Sequence, residues 1–489
     1  MPVVTIIDGE NKKSFSVQKG ERLLSLLQRN QIEISAPCGG RGTCGKCSVL
    51  LDGKKVLACQ ASILTDCTIS LPRMARASVL AEGLSRPCRE VSEKTGIAFD
   101  LGTTTVAGRL VQKGSVTCQA TAENAQKVFG ADVVSRLQYA LEHGQAALQE
   151  AIVHQLDSMI ESLCREGKET VETVVVVGNP TMLHLLLGEN ISGLARAPFA
   201  PAFLGTKTIQ GKEIGFTHDI VLHLLPSISA YVGGDITAAM LACSMDREDR
   251  LCLLIDIGTN GELVLGNRHG FTCTSVAAGP AFEGAQITCG MSGVDGAISK
   301  VKLSNGMVEV TTIGQKPSEG ICGSGLLDAV AQMLEVGILD PSGRIKEKIE
   351  VDAPFRRYVS NQTVHLTPRV SLTQQDIRQV QYAKAAIAAG VRTLLEESGH
   401  TMEEVECVYL AGGMGSFLSL NSAIRIGLLP DAWRDRIVVC GNAALSGSVS
   451  AVKEPDLFLM AEEIRAKATV IELADCKQFE EYYIKEMMF

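Results

Sequence analysis

One strand–turn–strand pattern occurs twice in this 489-residue chain and constrains the fold of most of it. The two copies are GIAFDLGTTTVAGRL at 96–110 and LCLLIDIGTNGELVL at 251–265. In each copy an apolar run leads to Asp-x-Gly-Thr and a second alternating run follows, which is typical of two strands joined by a tight turn. Strand and helix signals alternate after Thr95 to the end of the sequence. We therefore expect an α/β domain with an internal duplication.

Both turns carry groups that suit phosphate. Backbone N–H groups and hydroxyl or amide side chains donate to phosphate oxygens, while a preceding Asp can hold hydrated Mg²⁺. Asp-x-Gly is also common in ordinary β-hairpins, and either turn alone fits that simpler interpretation. Two copies in matching contexts favour two facing turns that grip one triphosphate. The residues concerned are Asp100, Gly102, Thr103, Thr104 and Thr105 in the first turn and Asp256, Gly258, Thr259, Asn260 and Glu262 in the second.

Four cysteines predict a different domain near the N-terminus. Cys38, Cys44, Cys47 and Cys59 are spaced C-x5-C-x2-C-x11-C in a glycine-rich stretch. Four thiolates suit a [2Fe–2S] cluster, although plant-type clusters have one residue fewer between the first two cysteines. Zinc is the competing metal, but four-cysteine zinc sites favour two separated C-x2-C pairs and only one pair is present. Cys67 is the nearby substitute for Cys59 as the fourth ligand.

The order of elements around these cysteines divides the chain into three parts. Val3–Val17 predicts two strands that turn at Asp8-Gly9, and a helical run, the cysteine loop and a returning strand follow. This order resembles a β-grasp ferredoxin over residues 1–72. Residues 73–94 lack a strand pattern and predict a linker that lets the ferredoxin move. Residues 95–489 form the α/β part.

Composition excludes several classes of partner. The formal net charge of −9 argues against nucleic-acid binding, which needs a basic surface. The first residues lack a basic segment followed by a long apolar core, and no run of eighteen apolar residues occurs. We expect a cytoplasmic protein without a membrane partner, whose remaining cysteines are reduced thiols and suit an anaerobic cell.

Three glycine-rich junctions follow strand-like runs in the α/β part. Gly412 and Gly413 in the second junction would allow close backbone approach to a purine or ribose. Glycine also occurs at such bends for packing reasons alone. The order of the junctions along the chain is therefore the stronger evidence. The junctions are VVVVGNPTMLHLLLG at 174–188, CVYLAGGMGSFL at 407–418 and IVVCGNAALSGSV at 437–449.

Two phosphate turns, strand–Gly–helix connectors and a late Ala-Gly-Gly resemble the ASKHA superfamily of sugar kinases, heat-shock chaperones and actin. Asp100 to Thr105 matches its first phosphate motif, Asp256 to Glu262 the second, and Leu410 to Gly415 the adenosine motif. The resemblance implies a two-lobed ATPase core, with lobes at roughly 95–245 and 246–489.

Further segments make the resemblance more specific. Joined to an N-terminal ferredoxin, they are similar to the reductive activators of corrinoid proteins over nearly the whole chain. Longer members of that family insert a segment between ferredoxin and ATPase core, where this chain has only the short linker. The segments are NAQKVFGADVVSRL at 124–137, AAGPAFEGAQITCGM at 277–291, which contains Gly279 as a nucleotide-binding candidate, and GICGSGLLDAV at 320–330.

The resemblance implies ATP-dependent reduction of a corrinoid protein from Co(II) to Co(I) in a methyltransferase system. The [2Fe–2S] cluster would donate the electron, ATP and Mg²⁺ would be the further cofactors, and an upstream donor would reduce the cluster. Related ATPases often form homodimers. Two alternatives use the same modules: a redox-sensing regulatory ATPase, and a small-molecule kinase with an ancillary ferredoxin.

Several single residues have expected roles of their own. Catalytic roles fall on Asp100, Asp256 and Glu283, where the Glu283 carboxylate either orients water or binds hydrated Mg²⁺, or merely favours a helix dipole. We expect His184 to be a packed structural histidine. Asp235 is expected to cap a helix, with a position facing the nucleotide as the alternative. Trp433 is too isolated to indicate a base-stacking surface.

Overall fold

The structure, a computed structural model, describes residues 1–8, 11–30, 32, 34, 47–71, 84, 86, 95–412 and 418–489. The predicted site residues Cys38, Cys44 and Gly413 lie outside these ranges.

Among the residues up to Leu71 that the structure describes, a five-stranded mixed sheet and one helix form the N-terminal part. The sheet order is β2-β1-β5-β3-β4, with β1 parallel to β5 and two antiparallel hairpins. Val4, Leu23, Leu27 and Ile69 belong to a core of its own. The predicted hairpin, helix and β-grasp ferredoxin fold are confirmed. The elements are β1 (Val3–Asp8), β2 (Asn11–Ser16), α1 (Leu23–Arg29), β3 (Ser48–Leu51), β4 (Lys54–Leu57) and β5 (Cys67–Ser70).

A six-stranded sheet with five helices follows, in the order β10-β11-β9-β6-β7-β8. Its elements are β6 (Gly96–Leu101), β7 (Thr105–Gln112), β8 (Ser115–Glu123), α2 (Val133–His143), α3 (Ala146–Gly167), β9 (Thr173–Gly178), α4 (Pro180–Leu187), α5 (Ser192–Ala195), β10 (Lys207–Gln210), β11 (Val221–Leu224) and α6 (Gly234–Ala242). We call this sheet the first sheet.

The described residues of 246–412 and 418–489 form the second sheet, two three-stranded sheets and six helices. Its elements are β12 (Cys252–Ile257), β13 (Gly261–Asn267), β14 (Gly270–Val276), β15 (Ala297–Ser304), β16 (Met307–Thr312), β17 (Gly320–Ile321), α7 (Gly323–Glu335), β18 (Val359–Ser360), β19 (Thr363–His365), β20 (Ser371–Thr373), α8 (Gln374–Glu397), β21 (Cys407–Ala411), α9 (Leu420–Arg425), β22 (Ile437–Gly441), α10 (Ala443–Lys453), α11 (Leu457–Lys467), β23 (Ala468–Val470) and α12 (Lys477–Lys485). The second sheet has the order β22-β21-β12-β13-β14-β23.

The two six-stranded sheets repeat one topology. In the first, β6 pairs antiparallel with β7 and parallel with β9. In the second, β12 pairs antiparallel with β13 and parallel with β21. Each predicted turn thus joins the central strand of its sheet to an antiparallel neighbour, and the predicted internal duplication and ASKHA-type α/β architecture are confirmed.

Helices α6 and α10 pack between the two sheets. Ala98 of the first sheet, Leu254 of the second, and Ala238 and Ala443 of the helices share one buried core. The helices cross closely at Gly447, where a β-carbon would lie 1.9 Å from the carbonyl oxygen of Ala238. Such close contact requires glycine. The relative position of the sheets therefore depends on this crossing.

The outer face of each sheet is covered by helices. Phe99 packs with Leu156 of α3 and Leu183 of α4, while Ile255 packs with Leu327 of α7 and Ile387 of α8. Within the described ranges, no helix combines the length and the apolar character needed to cross a membrane.

Candidate nucleotide and iron–sulfur sites

Five carboxyl groups converge where the turns of the two sheets face each other. They belong to Asp100, Asp235, Asp256, Glu262 and Glu283. They are half-buried, and the surrounding protein removes much of their hydration. Burial raises the pKa of Asp100 to about 6, and burial together with the Asp100 charge raises the pKa of Asp256 to about 7. Burial is also the main cause of the raised pKa of Glu262 and Glu283. A group of carboxyls that oppose one another's ionisation suits a cation.

Glu283 joins the two predicted phosphate turns. It ends a short 3-10 turn, Pro280–Glu283. Its Oε2 accepts a hydrogen bond from Thr104 Oγ1 at 2.7 Å, and its Oε1 accepts one from Thr259 Oγ1 at 2.9 Å. One carboxylate therefore accepts hydrogen bonds from hydroxyl groups of both turns. This position fits neither a simple dipole effect nor a surface residue.

Buried polar side chains hold the first turn in place. Asn124 donates from Nδ2 to the carbonyl oxygen of Gly102 at 2.8 Å, and the fully buried Arg136 donates from Nη2 to that of Thr103 at 2.6 Å. Asn179 donates to Thr103 Oγ1 at 2.9 Å. Burial lowers the pKa of Arg136 to about 9. The turn is thus fixed from behind while its front faces the carboxyls.

Asn442 connects the second sheet to the first turn. It follows β22, and its Oδ1 caps α10 by accepting from the Leu445 amide at 2.7 Å. Its Nδ2 donates to Asp100 Oδ2 at 2.7 Å. The predicted strand–Gly–Asn–helix junction therefore also positions a carboxyl of the nucleotide-site candidate.

Gly412 lies against the end of β12, and its approach to a purine or ribose stays a prediction. Its φ is +102°, and a β-carbon there would lie 2.3 Å from the Ile257 carbonyl oxygen and 2.8 Å from Asp256 Oδ1. The close backbone approach is thus to the end of β12 within the chain. Only a glycine leaves room for the Asp256 carboxyl at this point.

The prediction that Asp235 caps a helix is wrong. The N-cap of α6 is Gly233, and Asp235 lies two residues further on, inside the first turn. Burial, together with repulsion from Asp100 and Asp256, raises the pKa of Asp235 to about 8. The carboxyl therefore belongs to the same acidic group, which is the alternative position facing the nucleotide site.

Gly102 and Gly258 close the two predicted phosphate turns with backbone hydrogen bonds. Gly102 donates its amide to the Thr105 carbonyl oxygen at 3.1 Å, and Gly258 donates to that of Asn260 at 3.0 Å. Gly279 has φ +76°, and a β-carbon there would have no neighbouring atom of the described residues within 4 Å. His184 is buried and stacks on Phe203 with ring centroids 4.3 Å apart, as expected of a structural histidine.

Two of the predicted cluster cysteines lie together at one end of the β3–β4 hairpin. Cys47 precedes β3 and Cys59 follows β4, and the Ala58 amide donates to the Cys47 carbonyl oxygen at 2.8 Å. Both cysteines are buried. Cys67 begins β5 near Asp52, at the other end of β3 from Cys47. At the usual rise per strand residue, Asp52 lies about 16 Å from Cys47. The geometry favours Cys59 over Cys67 as a partner of Cys47.

The donor atoms fit the groups that the sequence implies. Paired buried thiols suit a [2Fe–2S] cluster, and half-buried carboxyls suit a hydrated Mg²⁺ that also contacts phosphates. No set of three or more His, Cys, Asp or Glu side chains in the described part of the chain encloses a metal ion by itself. A cation at the carboxyls would accordingly keep several of its own waters.

Sequence reasoning overlooked the side chains that support the site. Asn124, Arg136, Asn179 and Asn442 all hold turn residues, yet none is singled out by the turn motifs themselves. One signal was present: Gly-Asn follows a strand and precedes a helix at both 178–179 and 441–442. Asn is a preferred N-cap through its side-chain oxygen, and its side-chain NH₂ group remains free to donate to a residue of another segment.

The fold and these sites define a ferredoxin domain joined to an ASKHA-type domain. Residues 6–67 match the 2Fe-2S iron-sulfur cluster binding domain, residues 95–248 the RACo middle region, and residues 250–489 the C-terminal domain of RACo, the ASKHA domain. The chain is 34% identical over 417 residues to the corrinoid activation enzyme RamQ of Eubacterium limosum, covering 81% of this chain and 70% of that protein.

Two further relatives agree. The [Co(II) methylated amine-specific corrinoid protein] reductase of Methanosarcina barkeri is 25% identical over 430 residues, covering 81% of this chain and 77% of that one. A solved structure described as a reductive activator for corrinoid, iron-sulfur protein superposes with a TM-score of 0.74 at 28% identity, covering 100% of this chain and 98% of that one. The chain belongs to the family of reductive activators of corrinoid proteins.

Proposed function

We propose that this protein is an ATP-dependent activator that reduces a partner corrinoid protein from Co(II) to Co(I) in a methyltransferase system. One electron passes to one cobalt, which is the substrate. The proposed domains are a ferredoxin at 1–72, a linker at 73–94 and an ATPase at 95–489, whose two lobes are roughly 95–245 and 246–489. An upstream reductant supplies the electron, the reaction takes place in the cytoplasm, and no nucleic acid or membrane takes part.

The observation that carries this proposal is the bridge from Glu283 to Thr104 and Thr259. These hydroxyls belong to different sheets, and their common carboxylate lies 2.7 and 2.9 Å away. An anion that both turns bind at once supports a site for phosphate between them. Movement of one sheet relative to the other would then change what the two hydroxyls contact.

At the nucleotide site each residue has a proposed role. Asp100 and Asp256 would hold a hydrated Mg²⁺. Glu283 accepts hydrogen bonds from both turn hydroxyls, and with phosphate bound it would orient a water. When bound, Mg·ATP would supply the free energy for an uphill electron transfer. The phosphate and adenosine contacts are assigned to Gly102, Thr103, Thr104, Thr105, Gly258, Thr259, Asn260, Glu262, Gly279, Gly412 and Gly413.

At the iron–sulfur site the proposed ligands are Cys38, Cys44, Cys47 and Cys59. When bound, a plant-type cluster carries one electron at a reduction potential near about −400 mV. The buried positions of Cys47 and Cys59 keep water from their sulfur atoms.

The test follows Co(I) formation by corrinoid absorbance after reduced protein is mixed with a Co(II) corrinoid protein, with and without ATP. Asp256→Asn should slow ATP-dependent Co(I) formation by at least about tenfold at saturating nucleotide. Asp249→Asn is the matched control, because its carboxylate is exposed and pairs with Arg268 at the surface.

Wild-type rates for Asp256→Asn would contradict the proposal. If ATP is hydrolysed but no Co(I) forms, the redox-sensing ATPase replaces it. Phosphoryl transfer to a metabolite would instead indicate the kinase.

A further inference from the structure

Two residues of the predicted linker are attached to the ATPase part. Arg86 has a fully buried side chain whose Nη1 and Nη2 bind the two carboxylate oxygens of Asp246 at 2.6 and 3.0 Å. Nη1 also donates to the Leu241 carbonyl oxygen at 3.3 Å. The Leu84 amide donates to the Cys440 carbonyl oxygen at 2.9 Å. A bidentate Arg–carboxylate pair is among the strongest polar contacts in proteins.

These contacts reach both halves of the ATPase part. Leu241 lies in α6 and Asp246 follows that helix, whereas Cys440 lies in β22, an edge strand of the second sheet. The guanidinium also contacts Met460 of α11 at 3.5 Å. Leu84 and Arg86 therefore lie where the two sheets are joined through α6 and α10.

The same attachment is close to the nucleotide-site candidate. Cys440 is followed by Gly441 and then by Asn442, whose side chain donates to Asp100. A change in the position of β22 thus acts on the Leu84 contact and on the Asp100 contact together.

We propose that Leu84 and Arg86 form a linker anchor that fixes the ferredoxin tether at the junction of the two sheets. Arg86 is then a positioning residue for electron delivery. The inference rests on the proposed function only for its effect on cobalt reduction, since the attachment itself is a property of the chain alone.

The anchor shortens the tether by nearly half. The covalent chain from Leu71, at the end of the ferredoxin, to Leu84 spans at most about 45 Å, whereas the chain from Leu71 to Thr95 spans at most about 80 Å. Effective concentration falls roughly as the −3/2 power of tether length. Losing the anchor should therefore lower the local concentration of the electron donor by about 2.5-fold.

The test variant must not leave a charge buried without its partner. Arg86→Ala would strand Asp246 and could unfold the protein, because breaking one side of a buried pair is strongly destabilising. Arg86→Met with Asp246→Asn removes both charges with little change in volume, and Leu84→Pro in the same chain removes the amide that donates to Cys440. We call the protein with these three substitutions the anchor variant. Arg268→Ala is the control, since its ion pair with Asp249 is exposed on the surface.

Small-angle X-ray scattering of the full-length protein with its cluster bound provides the first readout. The maximum dimension should increase in the anchor variant and stay at the wild-type value in Arg268→Ala. A purely stabilising role for Arg86 would lower the melting temperature without this increase. Identical scattering of the anchor variant and wild type, with nucleotide binding intact, would overturn the anchor.

Cobalt reduction provides the second readout. In the anchor variant kcat should fall about 2.5-fold or more, with KM for the corrinoid protein and ATP affinity unchanged. An unchanged kcat would overturn the positioning role. If wild type itself forms no Co(I), the proposed function fails, and the scattering comparison still decides whether the anchor exists.

Discussion

Asn442 donates a hydrogen bond from Nδ2 to Asp100 Oδ2 at 2.7 Å, and these residues are 342 positions apart in the sequence. Through its Oδ1 the same amide caps α10. One side chain therefore links the helix that packs between the sheets to a carboxyl at the nucleotide-site candidate.

Asn442→Asp should separate these two roles. Aspartate caps a helix as well as asparagine does, so α10 should remain intact. It would, however, replace the donor to Asp100 with a second negative charge, which opposes ionisation of both groups. We expect at least about tenfold weaker Mg·ATP binding by calorimetry at pH 7, with the helix content of wild type by circular dichroism. Asn305→Asp, in an exposed turn, should change neither value.

Glu283→Gln should affect hydrolysis more than binding. The amide can contact Thr104 and Thr259, but it cannot act as a base or carry charge. We expect the ATPase kcat to fall by about 10²-fold or more, with the ATP dissociation constant within about threefold of wild type. Steady-state hydrolysis and calorimetry measure these quantities. A loss of affinity without a loss of kcat would show that Glu283 serves binding alone.

The acidic group predicts how the stability of the metal-free protein depends on pH. Asp100, Asp256 and Asp235 have folded-state pKa values raised from 3.8 to about 6, 7 and 8. Between about pH 4 and 8 the folded state therefore binds more protons than the unfolded state. Their contribution to the free energy of unfolding is then complete below about pH 4 and is lost as pH rises through the folded-state values.

Urea denaturation in EDTA at pH 5 and pH 8 measures this loss. Asp235→Asn should make the fall with pH smaller, because it removes the group with the highest pKa of the three. Mg²⁺ with a nucleotide should stabilise the protein more at pH 8 than at pH 5, since the carboxylates are then ionised. A steeper fall in Asp235→Asn than in wild type would contradict the assignment.

The cysteines give a test with a control inside the same domain. Cys47→Ser and Cys59→Ser should lose the visible absorbance and bound iron of a [2Fe–2S] cluster, because each removes a thiolate ligand. Cys67→Ser should retain both, since Cys67 lies at the other end of β3. Loss of the cluster in Cys67→Ser together with its retention in Cys59→Ser would reverse the choice of fourth ligand.

Features that depend on residues close together in the chain can be predicted from the sequence. Both turns are visible in the sequence because an apolar strand, Asp-x-Gly-Thr and another strand are contiguous. The junctions before α4 and α10 are visible for the same reason, since Gly-Asn after a strand carries both a bend and an N-cap.

The contacts that join the sheets are not local. Thr104 meets Glu283 across 179 residues, and Arg86 meets Asp246 across 160. Both depend on how the sheets pack around α6 and α10, which no single segment encodes. Asp235 shows the same limit: its spacing fits a helix cap, but Gly233 takes that position and the carboxyl faces the other acids.

In the proposed function ATP drives an electron from this chain to cobalt. The most direct measurement is a single-turnover mixture of reduced protein, Co(II) corrinoid protein and Mg·ATP, in which cluster and corrinoid absorbance are followed together. We expect one Co(I) to appear for each cluster oxidised, at the same rate, and neither change without ATP. Co(I) formation at an equal rate without nucleotide, or cluster oxidation without Co(I), would contradict the account.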